Sequence, residues 1–219
     1  VGEEVESLTR SSPKILCTGR DSVPQIDPER GLDSTGGDDM AIGQAIREAR
    51  MKRGLTQEAA GRIGYVSGKM ISAIETGRRA ASPDVLERLV TAMDHPRLYM
   101  EAAAEVTGGV FASPWLDGEG VDLHRTSVWA KTCEELREAV RVVAAADVIN
   151  APSRADDAHR QMIFDSLIQA LDARVAIDHY IAIMCEEYGF SVRAVHQEHR
   201  RKLEARGYVK PRRRRERNG

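Results

Sequence analysis

From Ala41 onward the apolar residues recur at helical spacing. Ile42, Ala45, Ile46 and Ala49 fall at i, i+3, i+4 and i+7, and Gly54 stands where a left-handed helix stop belongs. Thr56, with Glu58 close behind, opens a second short helix over about 56–63. Gly64-Tyr65-Val66 reads as a turn. Ser67 then caps a third helix that carries Met70, Ile71 and Ile74 and stops at Gly77. Ser82-Pro83 is a cap followed by proline at the first helical position, a strong start signal. The fourth helix that follows has one wide apolar stripe of Val85, Leu86, Leu89, Val90 and Met93. Pro96 starts a fifth helix with Leu98, Tyr99, Ala102 and Ala103. Five short helices over 41–105 predict a compact all-α domain.

The flanks differ in kind. Residues 1–39 are rich in Ser, Asp, Glu, Gly and Pro and carry little apolar pattern, so they cannot bury enough surface to offset their ordering entropy. They read as a disordered extension. A second reading makes Met40 the true start, because Gly36-Gly37-Asp38-Asp39-Met40 can be encoded by a purine-rich run of the kind that precedes a bacterial start codon. Residues 106–122 are aperiodic and glycine-rich, which marks a linker. Helical pattern resumes over about 126–148, 156–187 and 191–205, a second helical domain within 123–209. Its middle helix is apolar on most sides (Ile163, Phe164, Leu167, Ile168, Leu171, Val175, Ile177, Ile181, Met184). That breadth predicts the buried centre of a bundle or an oligomer interface. The tail, 210–219, carries five arginines and a lysine and predicts an unstructured basic end.

Composition narrows the classes. At 42% hydrophobic and 30% charged the chain is globular, and no run nears the ~18 apolar residues of a membrane span. Cys17, Cys133 and Cys185 are odd in number and far apart, so neither a disulfide framework nor a zinc pattern is present, which points to a reducing cytoplasm. The net charge of −2 conceals segregation: −5 over 1–40, +2 over 41–105, −7 over 106–190 and +8 over 191–219. Blocks of one sign mark interaction tails or solvated faces.

The chemistry concentrates between Arg50 and Arg79. Two short helices joined by a three- to four-residue turn, the second opened by Ser67, describe a helix-turn-helix. The first of the pair points its N–H groups and positive dipole at a phosphate of double-stranded DNA, where Gln57 adds an amide donor. Gly61 falls where the two helices cross. Ile71 and Ile74 face inward, so the other side of the second helix offers Gly68, Lys69, Ser72 and Ala73 to the major groove. Lys69 suits guanine O6 and N7, and Ser72 a base or phosphate. Arg78 and Arg79 lie ready for flanking phosphates, as do Arg50, Lys52 and Arg53.

GLTQ (54–57), VS (66–67), IS (71–72), IETG (74–77) and SPDVLERL (82–89) together resemble the Cro/cI-type (Xre) helix-turn-helix family over residues 41–105. The resemblance implies a five-helix, lambda-repressor-like DNA-binding domain of a dimeric transcriptional regulator, more often a repressor than an activator. One departure stands out. Family members carry an apolar residue and then glycine in the turn, whereas here Gly64 and Tyr65 occupy those places.

Competing readings stay open at this point. The stretch from 50 to 79 also suits a helical hairpin that never meets DNA, and Lys69 a solvated surface lysine. His196 and His199, like Asp156 and His159, have a spacing used by metal-binding bundles, yet the inward glutamates and H-E-x-x-H of such sites are missing. Solvent-facing histidines are the simpler reading. Cys185 reads as a core thiol and Arg174–Asp178 as a helical ion pair. The basic end reads either as a non-specific DNA clamp or as a solvated terminus. No nucleophile–base pair, acid dyad or phosphate loop appears, so neither an enzyme nor a cofactor is expected. The expected partners are double-stranded DNA, a second copy of the chain in a homodimer and a protein partner for the C-terminal helices. The rival function is an antitoxin-like or scaffold module that touches DNA only secondarily.

Overall fold

The computed structural model describes residues 38–211, and the readings of the segments before and after them lie outside the described residues. It is all-helical there: α1 (Asp38–Lys52), α2 (Gln57–Gly64), α3 (Gly68–Glu75), α4 (Pro83–Met93), α5 (Pro96–Thr107), α6 (Arg125–Ala145), α7 (Asp157–Glu187) and α8 (Val192–Ala205). A single 3-10 turn, Pro152–Arg154, precedes α7.

Helices α1 to α5 share one core. Ile42, Ala45, Ile46 and Ala49 of α1 meet Ala60, Ile71, Ile74, Val85, Leu86, Leu89, Met93 and Leu98 there. Ile46, Ile71, Ile74, Leu89, Met93 and Leu98 are fully enclosed, and each such side chain contributes about 1.5–3 kcal/mol by leaving water. The helix ends follow local chemistry. The Thr56 hydroxyl accepts from the Ala59 N–H at 3.1 Å and the Ser67 hydroxyl from the Met70 N–H at 3.2 Å, which satisfies donors that an N-terminus leaves unpaired. Gly54 and Gly77 take φ of 63° and 66°, the left-handed stops read from the sequence. Ser82 precedes Pro83 as expected but makes no side-chain cap hydrogen bond.

The second half is built differently. α6 and α7 lie against each other as a long hairpin, and α6 finds its main packing in α7 alone. The expectation that the middle helix is the buried centre of a bundle fails within one chain. Ala173, His179, Ala182, Ile183 and Cys185 are buried, but Leu167, Ile168 and Leu171 on the same helix are exposed, because no third long helix covers them. Asp156 and His159 turn out to form a cap: the Asp156 carboxylate accepts from the His159 N–H at 2.8 Å and opens α7.

The segment after α5 is aperiodic in sequence but well tied in space. The Leu116 N–H donates to Nε2 of buried His179 at 3.0 Å, whose Nδ1 lies 2.9 Å from the Val175 carbonyl. Those two contacts fix the orientation of the ring. The Ser113 hydroxyl reaches Asp178 at 2.5 Å, and Trp115 lies over the His179 ring at 5.1 Å between centroids. On the other side, Arg97 of α5 stacks over Trp115 at 5.7 Å and pairs with Asp117 at 3.3 Å. This strap therefore ties α5 to α7. The two halves also meet through an ion pair between Lys52 and Glu186. A bond from the Arg193 N–H to Asp94 at 3.1 Å sits nearby.

Candidate nucleic-acid interface

The α2–turn–α3 unit is held by close backbone approach. A Cβ placed on Gly61 would lie 2.6 Å from the Val66 carbonyl oxygen and 3.1 Å from the Gly68 nitrogen, so only glycine permits this crossing. Gly43 plays the same part under α3, where a Cβ would meet the Ile74 carbonyl at 2.4 Å. The turn itself resolves the departure seen at Gly64 and Tyr65. α2 runs one residue further, through buried Gly64, and Tyr65 takes the left-handed position with φ 56° and ψ 39°. A side chain there costs roughly 1–2 kcal/mol. Arg88 of α4 offsets part of this, with its guanidinium 4.9 Å from the Tyr65 ring centroid.

The inner side of α3 is anchored in three ways. Ile71 and Ile74 are in the core, and Glu75 is buried beside them with its side chain 2% exposed. The Arg50 Nε donates to one Glu75 oxygen at 2.6 Å and its Nη2 to the other at 3.0 Å. Gln57 Nε2 adds a third bond to Glu75 at 2.9 Å. Arg50 Nη1 also holds the Leu55 carbonyl at 2.8 Å. One carboxylate thus fixes α1, the start of α2 and α3 relative to one another. Hydrogen bonding to Glu75 raises the Arg50 pKa further above its ordinary value, so the guanidinium remains charged.

The predicted contact residues fall into two groups. Ser67 and Lys69 are exposed and Ser72 and Ala73 half-buried along α3, with Arg78 and Arg79 exposed just beyond its end. Thr76, at the end of α3, bonds back to the Ser72 and Ala73 carbonyls and receives Arg78 Nε at 2.9 Å. Lys69, Ser72 and Ala73, at i, i+3 and i+4, share one face of α3. α3 packs on α1 and α2, while the second half docks on α5 and at Lys52 and Asp94. The other group has partners or close neighbours within the fold. Arg50 gives three of its five N–H groups to Glu75 and Leu55, which ties α1 to α3 and leaves two N–H groups. Lys52 pairs with Glu48 and Glu186, and Arg53 Nε donates to the Met93 carbonyl at 2.7 Å. Gly68 packs on the first turn of α2, where a Cβ would lie 3.1 Å from the Glu58 carboxylate. Gln57 keeps one amide hydrogen beyond the one given to Glu75.

Sequence reasoning missed Glu75, Gly43 and Arg88. A glutamate directly after two inward isoleucines, and a glycine amid the apolar positions of α1, are the signals that pointed to two of them.

Two short helices crossing at a glycine, the second presenting an exposed side beyond a buried anchor, define a helix-turn-helix domain. Compared with known families, residues 46–96 match the family model described as helix-turn-helix. This segment, from within α1 to the start of α5, is similar to a helix-turn-helix, in line with the resemblance carried by GLTQ, IETG and SPDVLERL. The match covers 51 of 219 residues. No curated protein and no solved structure matches the chain.

Proposed function

We propose that the protein is a dimeric, sequence-specific transcriptional repressor that reads a pseudo-palindromic operator with α3 in the major groove. The observation that carries this reading is the asymmetry of α3. Its inner side is fixed by Ile71, Ile74 and the Arg50–Glu75–Gln57 network, and its outer side stays uncovered at Lys69. In this reading Lys69 donates to a guanine edge, and Ser72 and Ala73 meet bases or thymine methyls. Gln57 and the N-terminus of α2 hold one phosphate, while Arg78 and Arg79 hold flanking ones. Ser67 and Gly68 set the start and the close seating of α3. Arg50 is a positioning residue.

The proposed division is a reading unit over 41–105, a docked strap over 106–122 and a self-association unit over 123–209. Support for self-association comes from α6. Trp129, Leu136, Val140 and Val143 are exposed, Cys133 is half-buried between them, and successive spacings are four, three, four and three. That is a heptad seam, and pairing two hairpins into a four-helix bundle would cover it. A dimer sets two copies of α3 about 34–36 Å apart, one turn of DNA. No helix among the described residues is long and apolar enough to cross a membrane.

The test selects genomic fragments with the full chain and footprints the winners. The reading requires protected half-sites about 10–10.5 base pairs apart, centre to centre, with dyad symmetry. Salt-labile binding to all fragments alike would instead favour a protein-interaction module, with the acidic 106–190 region as its docking part.

A further inference from the structure

Between the strap and the α6–α7 hairpin lies a cavity of about 590 Å³, within the ~300–1,000 Å³ range of small-molecule sites. Leu116 and Val121 of the strap line it together with Leu123, Val128 of α6 and Val175 and Ala176 of α7. The polar groups in its middle already have partners. His179 is bonded through both ring nitrogens, and the Thr132 hydroxyl lies 2.7 Å from the Val128 carbonyl and 3.0 Å from that of Ala176. A ligand's central portion would therefore meet hydrocarbon.

The charge among the lining residues is unbalanced. Lys131 lines the cavity with three carboxylates, those of Asp122, Glu135 and Asp172. Glu135 holds Lys131 at 2.8 Å and Gln169 at 3.2 Å, and is thereby fixed in place. Lys131 is shared with Glu134 at 3.1 Å, outside the cavity lining. Partial desolvation of an otherwise exposed Asp172 raises its carboxyl above its ordinary value, and the neighbouring charges of Glu135 and Glu138 add to this. An arriving cation relieves that repulsion, whereas an anion worsens it.

We infer that this cavity binds an organic cation, with an ammonium-type head between Glu135 and Asp172 and an apolar, ring-sized body between Val121, Val128 and Val175. The strap that closes the site is the one whose Trp115 and Asp117 are held by Arg97 of α5. Occupancy is therefore positioned to bear on the helix-turn-helix half, but the binding site stands independently of the operator reading.

The test titrates the full chain by calorimetry with three probes of one shape: 1-naphthylmethylammonium, 1-naphthalenemethanol and 1-naphthylacetate. The cation binds about tenfold more tightly than the alcohol, a difference of ~1.4 kcal/mol, and the acetate binds most weakly. Asp172→Asn, at an exposed position, weakens the cation about three- to fivefold and leaves the alcohol unchanged. Ala176→Phe fills the cavity and removes binding of all three. Equal affinity for the three probes, no binding of any, or a cation affinity untouched by Asp172→Asn overturns the inference. A mobility shift run on the same samples keeps the two readings apart, since lost DNA binding with intact cation binding defeats only the operator reading.

Discussion

The α1–α3 region and the α6–α7 hairpin are both amphipathic helices, but they dispose of their apolar residues in opposite ways. In the first, each inward side chain meets another helix, and even the charged Glu75 is enclosed by Arg50 and Gln57. In the second, one helix pairs with one other, so Leu136, Val140, Leu167 and Leu171 remain at the surface. Two helices alone cannot enclose a core. What separates the regions is completeness: one half encloses its apolar side chains, and the other leaves a row of them exposed, which is where the proposed self-association would act.

The comparison breaks hardest at Glu75. Removing its carboxylate in Glu75→Ala leaves Arg50, only 12% exposed, without its ion-pair partner. The expected loss is about 3–5 kcal/mol of unfolding free energy, read by urea denaturation, with Glu75→Gln milder. Next comes the seam. Leu136→Glu with Val140→Glu puts charge in the proposed bundle without touching the core of α1–α5. Sedimentation should then show monomer, and operator affinity should fall on the order of 100-fold as the two-site advantage disappears. An unchanged mass would place the interface elsewhere.

Where the halves meet, His95 sharpens the contrast. Its buried ring lacks a hydrogen-bond partner at either nitrogen and lies 3.9 Å from Glu48. Burial, followed by the positive charge of Lys52, holds its pKa below the ordinary 6.5. The unfolded chain therefore takes up a proton that the folded chain refuses. Stability from this source is present above about pH 6.5 and is lost as pH falls below it toward the depressed folded value. Denaturation midpoints at pH 7.5 and 5.5 should differ less in His95→Phe than in the parent chain. The smallest effect belongs to Tyr65. Tyr65→Gly relieves roughly 1 kcal/mol of left-handed strain and forfeits about 0.5 kcal/mol of Arg88 stacking. A melting temperature higher by a degree or two is the expected outcome.

Periodicity made most of the fold legible. The expected helices over 56–63, 156–187 and 191–205 differ by a residue or so from Gln57–Gly64, Asp157–Glu187 and Val192–Ala205. Spacing alone also placed Ile71 and Ile74 inward and Lys69 outward. Long-range pairing was not legible, because nothing local announces that Arg50 meets a glutamate 25 positions later. Arg50, Lys52 and Arg53 look alike as a basic cluster, yet each has a separate partner within the fold. The strap over 106–122 has no periodicity to read, so its ties to His179 and Asp178 emerged only in space. The turn misled in a smaller way: a left-handed site suggests glycine, and here the chain places Tyr65 there under Arg88.

The most direct trial of the central claim measures Lys69→Ala against the parent chain on the selected operator and on every single base-pair variant of it. The account predicts a loss of about 1–3 kcal/mol on the preferred sequence that vanishes when one particular base pair in each half-site is changed. A loss of the same size on every sequence would contradict it, since Lys69 would then touch only the sugar-phosphate backbone and α3 would not be reading bases through it.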